Sequence, residues 1–126
     1  MSIANIATML SKYILLESML KPETDTAFEK ALEYIDKNIE SHITLNDISR
    51  ESHISKTTVY KYFHRYFGCT PSDYINKKRV EKSTEYLKTT DMSIELISQK
   101  VGFLSSSYNT RIFKKYMGIT PRNFRK

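Results

Sequence analysis

Phe63-His64-Arg65-Tyr66-Phe67-Gly68-Cys69-Thr70-Pro71-Ser72-Asp73-Tyr74 is answered fifty residues later by Phe113-Lys114-Lys115-Tyr116-Met117-Gly118-Ile119-Thr120-Pro121-Arg122-Asn123-Phe124. Phenylalanine, tyrosine, glycine, threonine and proline are identical between the two stretches, so the chain carries one unit twice. Each shared residue has a mechanical reason. Gly68 and Gly118 follow apolar helical runs and supply the positive φ that closes a helix C-terminus. Thr70-Pro71 and Thr120-Pro121 start the next helices, with threonine as N-cap and proline where its missing N–H costs nothing. Phe63 and Tyr66, like Phe113 and Tyr116, lie three apart and should pack inward.

Upstream, Leu45, Ile48, Ser49 and Ile54 correspond to Ile94, Ile97, Ser98 and Phe103, and the offset changes from 49 to 50 in the turn that follows. Each unit reads as a short helix (Leu45 to Glu51, Ile94 to Lys100), a tight turn, and a longer basic helix (Lys56 to Phe67, Ser106 to Met117). That order is a helix-turn-helix. Gly102 supplies a glycine for the second turn, and His53 stands at that place in the first.

The rest of the chain also reads as helix, since no alternating run is bounded by hairpin turns. Ile3, Ile6, Ala7, Leu10, Tyr13, Ile14 and Leu20 draw an apolar stripe that stops at Lys21-Pro22. The same stripe could serve as a short coiled-coil seam. A second helix is expected from the Thr26/Glu29 capping-box pattern, burying Phe28, Ala31, Leu32, Ile35 and Ile39. A third starts at Thr44, where the threonine hydroxyl and the Asp47 carboxylate can satisfy free amides. The helix between the units turns Tyr74, Ile75, Val80, Ser83, Tyr86 and Leu87 inward and places Lys77, Lys78, Arg79, Lys82 and Lys88 on its other face. The fold class is therefore all-α: two helix-turn-helix, homeodomain-like subdomains (about 44–68 and 93–118) joined by a long linker helix (about 71–89), with an extra N-terminal helix.

The 126 residues carry a net charge of +6, unevenly placed. Residues 1–54 hold five Lys/Arg against nine Asp/Glu, a balance of −4, whereas residues 55–126 hold fifteen against five, a balance of +10. A polyanion partner suits the second part. The one cysteine, Cys69, matches Ile119 in the other unit and reads as a buried apolar residue, and no stretch has the purity of a membrane span. A cytoplasmic protein is expected. His42, His53 and His64 lack a second ligand at i+3 or i+4, so neither a metal nor a cofactor is expected. No nucleophile-and-base grouping or phosphate-binding glycine loop supports an enzyme.

With Val59, Tyr62, Phe63 and Tyr66 inside, the first long helix turns Lys56, Thr57, Tyr60, Lys61 and His64 outward. With Tyr108, Ile112, Phe113 and Tyr116 inside, the second frees Ser106, Ser107, Thr110, Arg111 and Lys114. Small hydroxyls allow close approach to base edges, and Lys61 and Arg111 have donors suited to guanine. Lys56, His64, Lys77, Lys78, Lys114 and Lys115 are candidates for phosphate contacts.

From about Ala27 to Arg125 the chain resembles the AraC/XylS family of transcription regulators. The resemblance rests on Tyr34-Ile35 with Leu45, Ser55 to Phe63 with Gly68, Arg79 with Leu87, and Ile94 to Phe103 followed by Phe113 to Pro121. It implies sequence-specific binding of double-stranded DNA, with Thr57, Tyr60, Lys61, Ser106, Ser107, Thr110 and Arg111 reading bases. Two such helices on one duplex face would sit about 34 Å apart. The resemblance also implies a separate sensing domain, with residues 1–24 as its remnant or connector and 25–126 as the DNA-binding domain. RNA polymerase, and a second copy joined through the N-terminal helix or the sensing domain, are further expected partners. Serine at 49, 83 and 98, where the family has alanine, and Asn109, where it has a large apolar residue, depart from its pattern. A buried Asn109 needs a partner, or the helix shifts register to present Tyr108. The competing reading is a helical adaptor whose basic face meets an acidic protein.

Overall fold

The structure is a computed structural model that describes residues 22–126; among these there are seven helices and no strand. They are α1 (Pro22–Lys37), α2 (Leu45–Ser52), α3 (Lys56–Phe67), α4 (Pro71–Thr89), α5 (Ile94–Lys100), α6 (Ser106–Met117) and α7 (Pro121–Arg125). The helix expected over Ile3 to Leu20 lies outside the described residues. The all-helical fold with two helix-turn-helix pairs, α2–α3 and α5–α6, is present as expected. Of the described residues, 22–37 with 44–71 make one compact unit, and 38–43 with 72–126 make another.

In the first unit, α1 begins at Pro22 rather than at Thr26, so the expected Thr26/Glu29 cap is not formed. Proline at the first helical position is pre-set for helical φ and lacks only a donor that would be unbonded there, which lets the helix start a turn earlier. Phe28, Ala31 and Ile35 of α1 are fully buried. The Phe28 ring is the centre of the unit: the rings of Tyr62, Phe63, Tyr66 and Phe67 on α3 lie 5.5, 5.1, 5.1 and 5.7 Å away. Edge contacts to Tyr62 and Phe63 and a stacked contact to Tyr66 are favoured ring geometries, each worth about 0.5–1.5 kcal/mol beyond area burial. The α2 start is a full capping box. Thr44 Oγ1 accepts from the Asp47 amide at 3.1 Å and the Asp47 carboxylate accepts from the Thr44 amide at 3.0 Å. His53 ends α2 in the left-handed region at φ 60°, the one non-glycine residue there among those described.

The second unit is built on Val80, Leu87, Ile97, Val101, Phe103 and Phe113, with Tyr86, Met92, Tyr108, Ile112, Tyr116 and Phe124 packed around them. Two arginines tie its elements together. Arg79, expected on the open face of α4, is half-buried and donates to the carbonyls of Ile39 (3.0 Å) and Ser41 (2.7 Å). Burial lowers its pKa. The open-face placement is corrected because two chain carbonyls just past α1 need donors, and a guanidinium can serve both at once. Arg125 of α7 donates to Leu87, Thr90 and Met92, carbonyls at and beyond the end of α4. Lys82, also expected on that open face, is half-buried with its Nζ 3.6 Å from Glu40, which accepts from the Tyr86 hydroxyl at 2.9 Å.

Candidate nucleic-acid interface

The first turns of the helices separate them into two kinds. α2, α4 and α5 open with an acid, respectively Asp47, Asp73 and Glu95, which offsets the positive end of the helix dipole. Like the short α7, the second helices of the two pairs, α3 and α6, have none there. Their N-termini remain free to attract an anion. Both are held by the same device, a serine N-cap: Ser55 accepts from the Thr58 amide and Ser105 from the Tyr108 amide, each at 3.1 Å. Both end on a left-handed glycine, Gly68 at φ 66° and Gly118 at φ 80°.

On α3 the division of faces follows the sequence. Val59, Tyr62, Phe63 and Tyr66 are buried, while Lys56, Thr57, Tyr60, Lys61 and His64 are all exposed, with Tyr60 at 48%. Thr57, Tyr60, Lys61 and His64 fall at i, i+3, i+4 and i+7, one face of the helix. With no acid anywhere between residues 56 and 67, this face combines a hydroxyl, an aromatic ring and cations.

On α6 the register is shared but the burial differs from expectation. Asn109 is 1% exposed and Phe113 fully buried, whereas Tyr108, expected inside, is half-buried with its ring 5.8 Å from Phe103. Of the two alternatives for Asn109, burial with a partner is the one adopted: its amide donates to Ser98 Oγ at 2.7 Å. Ser107, Arg111, Lys114 and Lys115 are exposed. Ser106 and Thr110 are half-buried and line an open groove of about 500 Å³ with Ile94, Glu95, Thr120, Pro121 and Arg122. Arg111 sits 5.3 Å over the Tyr108 ring, which holds its guanidinium against the helix.

Among the phosphate candidates, Lys77 is exposed, but Lys78 is half-buried with its Nζ 3.9 Å from Glu81 and 5.5 Å from the Tyr74 ring centre. Arg122, which sequence reasoning passed over, is exposed beside Ser106 and Thr110. Its signal was its place: Thr120-Pro121 opens a helix, and a cation rather than an acid follows, where the first unit has Ser72-Asp73. Cys69 is half-buried rather than buried. Among the described residues no group of three His, Cys, Asp or Glu could hold a metal ion, and no helix is long and apolar enough to cross a membrane.

A family model described as a helix-turn-helix domain matches residues 48–126. The regulatory protein PocR of Salmonella typhimurium is 30% identical over 101 residues, which cover 80% of this chain and 33% of PocR. The probable transcription factor PqrA of Proteus vulgaris is 37% identical over 83 residues, covering 66% of this chain and 68% of PqrA. The chain thus spans about a third of PocR and two thirds of PqrA. Among solved structures, a transcriptional regulator from Chromobacterium violaceum, described as containing an AraC-type DNA-binding domain, superposes with a TM-score of 0.75 at 26% identity. It covers 86% of this chain and 93% of its own.

Proposed function

Because this chain belongs to the AraC/XylS family of helix-turn-helix regulators, we propose that it binds double-stranded DNA sequence-specifically and regulates transcription without itself being an enzyme. Each unit lays its second helix into a major groove, α3 in one and α6 in the next, about one helical turn or 34 Å along the duplex. One observation carries this reading. The two repeated second helices have no acid in their first turn and expose hydroxyls and cations on the face away from the core. Thr57, Tyr60 and Lys61 read bases from α3, and Ser107 and Arg111, with Ser106 and Thr110 behind them, read from α6. Lys56, His64, Lys77, Lys114 and Lys115 grip phosphates, with Lys78 contributing less because Glu81 already engages it. Residues 25–126 act as the DNA-binding domain, and residues 1–24 connect it to a sensing domain or pair with a second copy. RNA polymerase is the further partner, and the cytoplasm the compartment.

Selection of sites from a random duplex library, followed by affinity measurements at graded salt, tests the proposal. With about six phosphate contacts the plot of log affinity against log salt should slope near −5. Absence of retardation on any duplex at micromolar protein, or an affinity indifferent to salt, refutes it and leaves the adaptor reading.

A further inference from the structure

We infer that Leu104 contacts a base in the second unit, packing against the methyl group of a thymine in the major groove; the inference rests on the DNA-binding reading above. Hydrogen bonds align the two turns residue by residue. The Ile54 amide donates to the Ser49 carbonyl at 3.3 Å, as the Phe103 amide does to Ser98 at 2.9 Å. Ser55 and Ser105 then cap α3 and α6 in the same way. Nothing separates Ile54 from Ser55, but Leu104 stands between Phe103 and Ser105. The shift of offset from 49 to 50 is therefore this one inserted residue.

Leu104 is 89% exposed, about twice as exposed as Tyr60, Leu96 or Ile119, the other exposed large apolar residues described. An apolar side chain just before an N-cap ordinarily packs on the residue four positions into the helix. In the first unit those positions are Ile54, which is half-buried, and Val59, which is fully buried. In the second the inner position is Asn109, whose amide is committed to Ser98. The leucine so lacks an apolar residue at the position where it would ordinarily pack, and it remains 89% exposed where α6 begins, on the rim of a groove lined also by Ile43, Ile75, Phe103 and Tyr108. The residues that follow it, Ser105, Ser106 and Ser107, are short hydroxyls that bring the backbone close to a surface but add no apolar area to that stretch. The edge of a base pair in the major groove presents one apolar group, the thymine methyl.

The test uses duplexes carrying a site selected by the full chain, with each thymine replaced in turn by deoxyuridine, which lacks that methyl. One replacement in the half-site bound by the second unit should weaken the unaltered protein about fourfold, the value of one buried methyl-sized group. Leu104→Ala should lose about the same on the thymine site and be indifferent to that replacement. A Leu104→Ala protein with unchanged affinity and an unchanged deoxyuridine profile overturns the inference, as does a second half-site selected without thymine. If the unaltered protein binds no duplex, the DNA-binding reading itself has failed, a result distinct from either.

Discussion

Asn109 on α6 donates its side-chain amide to Ser98 Oγ on α5 at 2.7 Å, and Ser98 in turn donates to the Ile94 carbonyl at 2.9 Å. Two residues that each depart from the family pattern therefore compensate one another: the serine at an alanine position supplies the acceptor for the asparagine at an apolar position. The arrangement is incomplete, because Asn109 Oδ1 is buried without a hydrogen-bond partner. Ser98→Ala alone strands the amide as well and should destabilise the second unit by about 1–3 kcal/mol. Ser98→Ala with Asn109→Leu should recover most of that loss, giving a coupling above about 0.5 kcal/mol in a double-mutant cycle. Chemical denaturation of the four proteins measures it, and additive effects would mean that the contact does not matter.

The two turns depend on glycine unequally, although both reach positive φ, at His53 and at Gly102. A Cβ on Gly102, at φ 94°, would lie 2.6 Å from the Ile39 carbonyl oxygen and 2.9 Å from the Arg79 guanidinium. The chain can relieve the second clash only by giving up the Arg79 hydrogen bonds. Gly102→Ala should therefore cost more than about 2 kcal/mol, combining left-handed strain with displacement of backbone. His53 already carries a side chain at φ 60° and points it into solvent, so His53→Gly should change stability by less than about 1 kcal/mol. Equal effects at the two positions would contradict the packing described.

What could be read in advance was what local chemistry decides. Thr44 and Asp47, Gly68 and Gly118, and Thr120 before Pro121 act on amides and carbonyls within four residues of themselves, so their spacing revealed the helix ends. The outward face of α3 was legible for the same reason, since an aromatic stripe with no polar interruption marks the other side. Arg79 and Arg125 were not legible. Their partners lie 33 to 40 residues away in sequence, and a helical wheel of α4 alone puts Arg79 with its lysine neighbours. α1 began a turn early because two start signals, Pro22 and Thr26, compete within five residues, and periodicity does not rank them. On α6 the wheel balanced Tyr108 against Asn109, and only the position of Ser98 on another helix decides between them.

Asp47 makes the first unit sensitive to acid. The Thr44 amide and hydroxyl hold its pKa below the ordinary carboxylate value against the opposing effect of burial, and Arg50 at 3.0 Å adds a lesser pull in the same direction as Thr44. A pKa depressed in the folded state contributes stability that is present above the unfolded value and lost as pH falls through the folded one. The start of α2 should thus loosen below about pH 4, the ordinary carboxylate range. Asp47→Asn should be less stable than the unaltered protein at neutral pH, and the difference should shrink as pH is lowered from 5 to 2. Thermal melts across that range check it, and a difference independent of pH would assign the effect to lost geometry rather than charge.

Cations that read, cations that grip and cations that hold the fold should separate by experiment. Lys61 and Arg111 stand on the exposed faces of α3 and α6, where long donors can reach base edges. Replacing either by alanine should cost about 1–3 kcal/mol on the selected site and relax preference at one or two base pairs. Lys77 is exposed outside those faces, so Lys77→Ala should weaken selected and random duplexes alike and lower the salt slope by about 1. Lys78→Ala should do less, because its ammonium is already 3.9 Å from Glu81. Arg79→Ala belongs to the third kind: it strands the carbonyls of Ile39 and Ser41 and should lower the melting temperature. At a temperature where the variant remains folded, its preference among sequences should be unchanged. Competition titrations with selected and scrambled duplexes, run beside thermal melts, place each variant, and equal losses on both duplexes for Lys61→Ala and Arg111→Ala would remove those residues from the reading face.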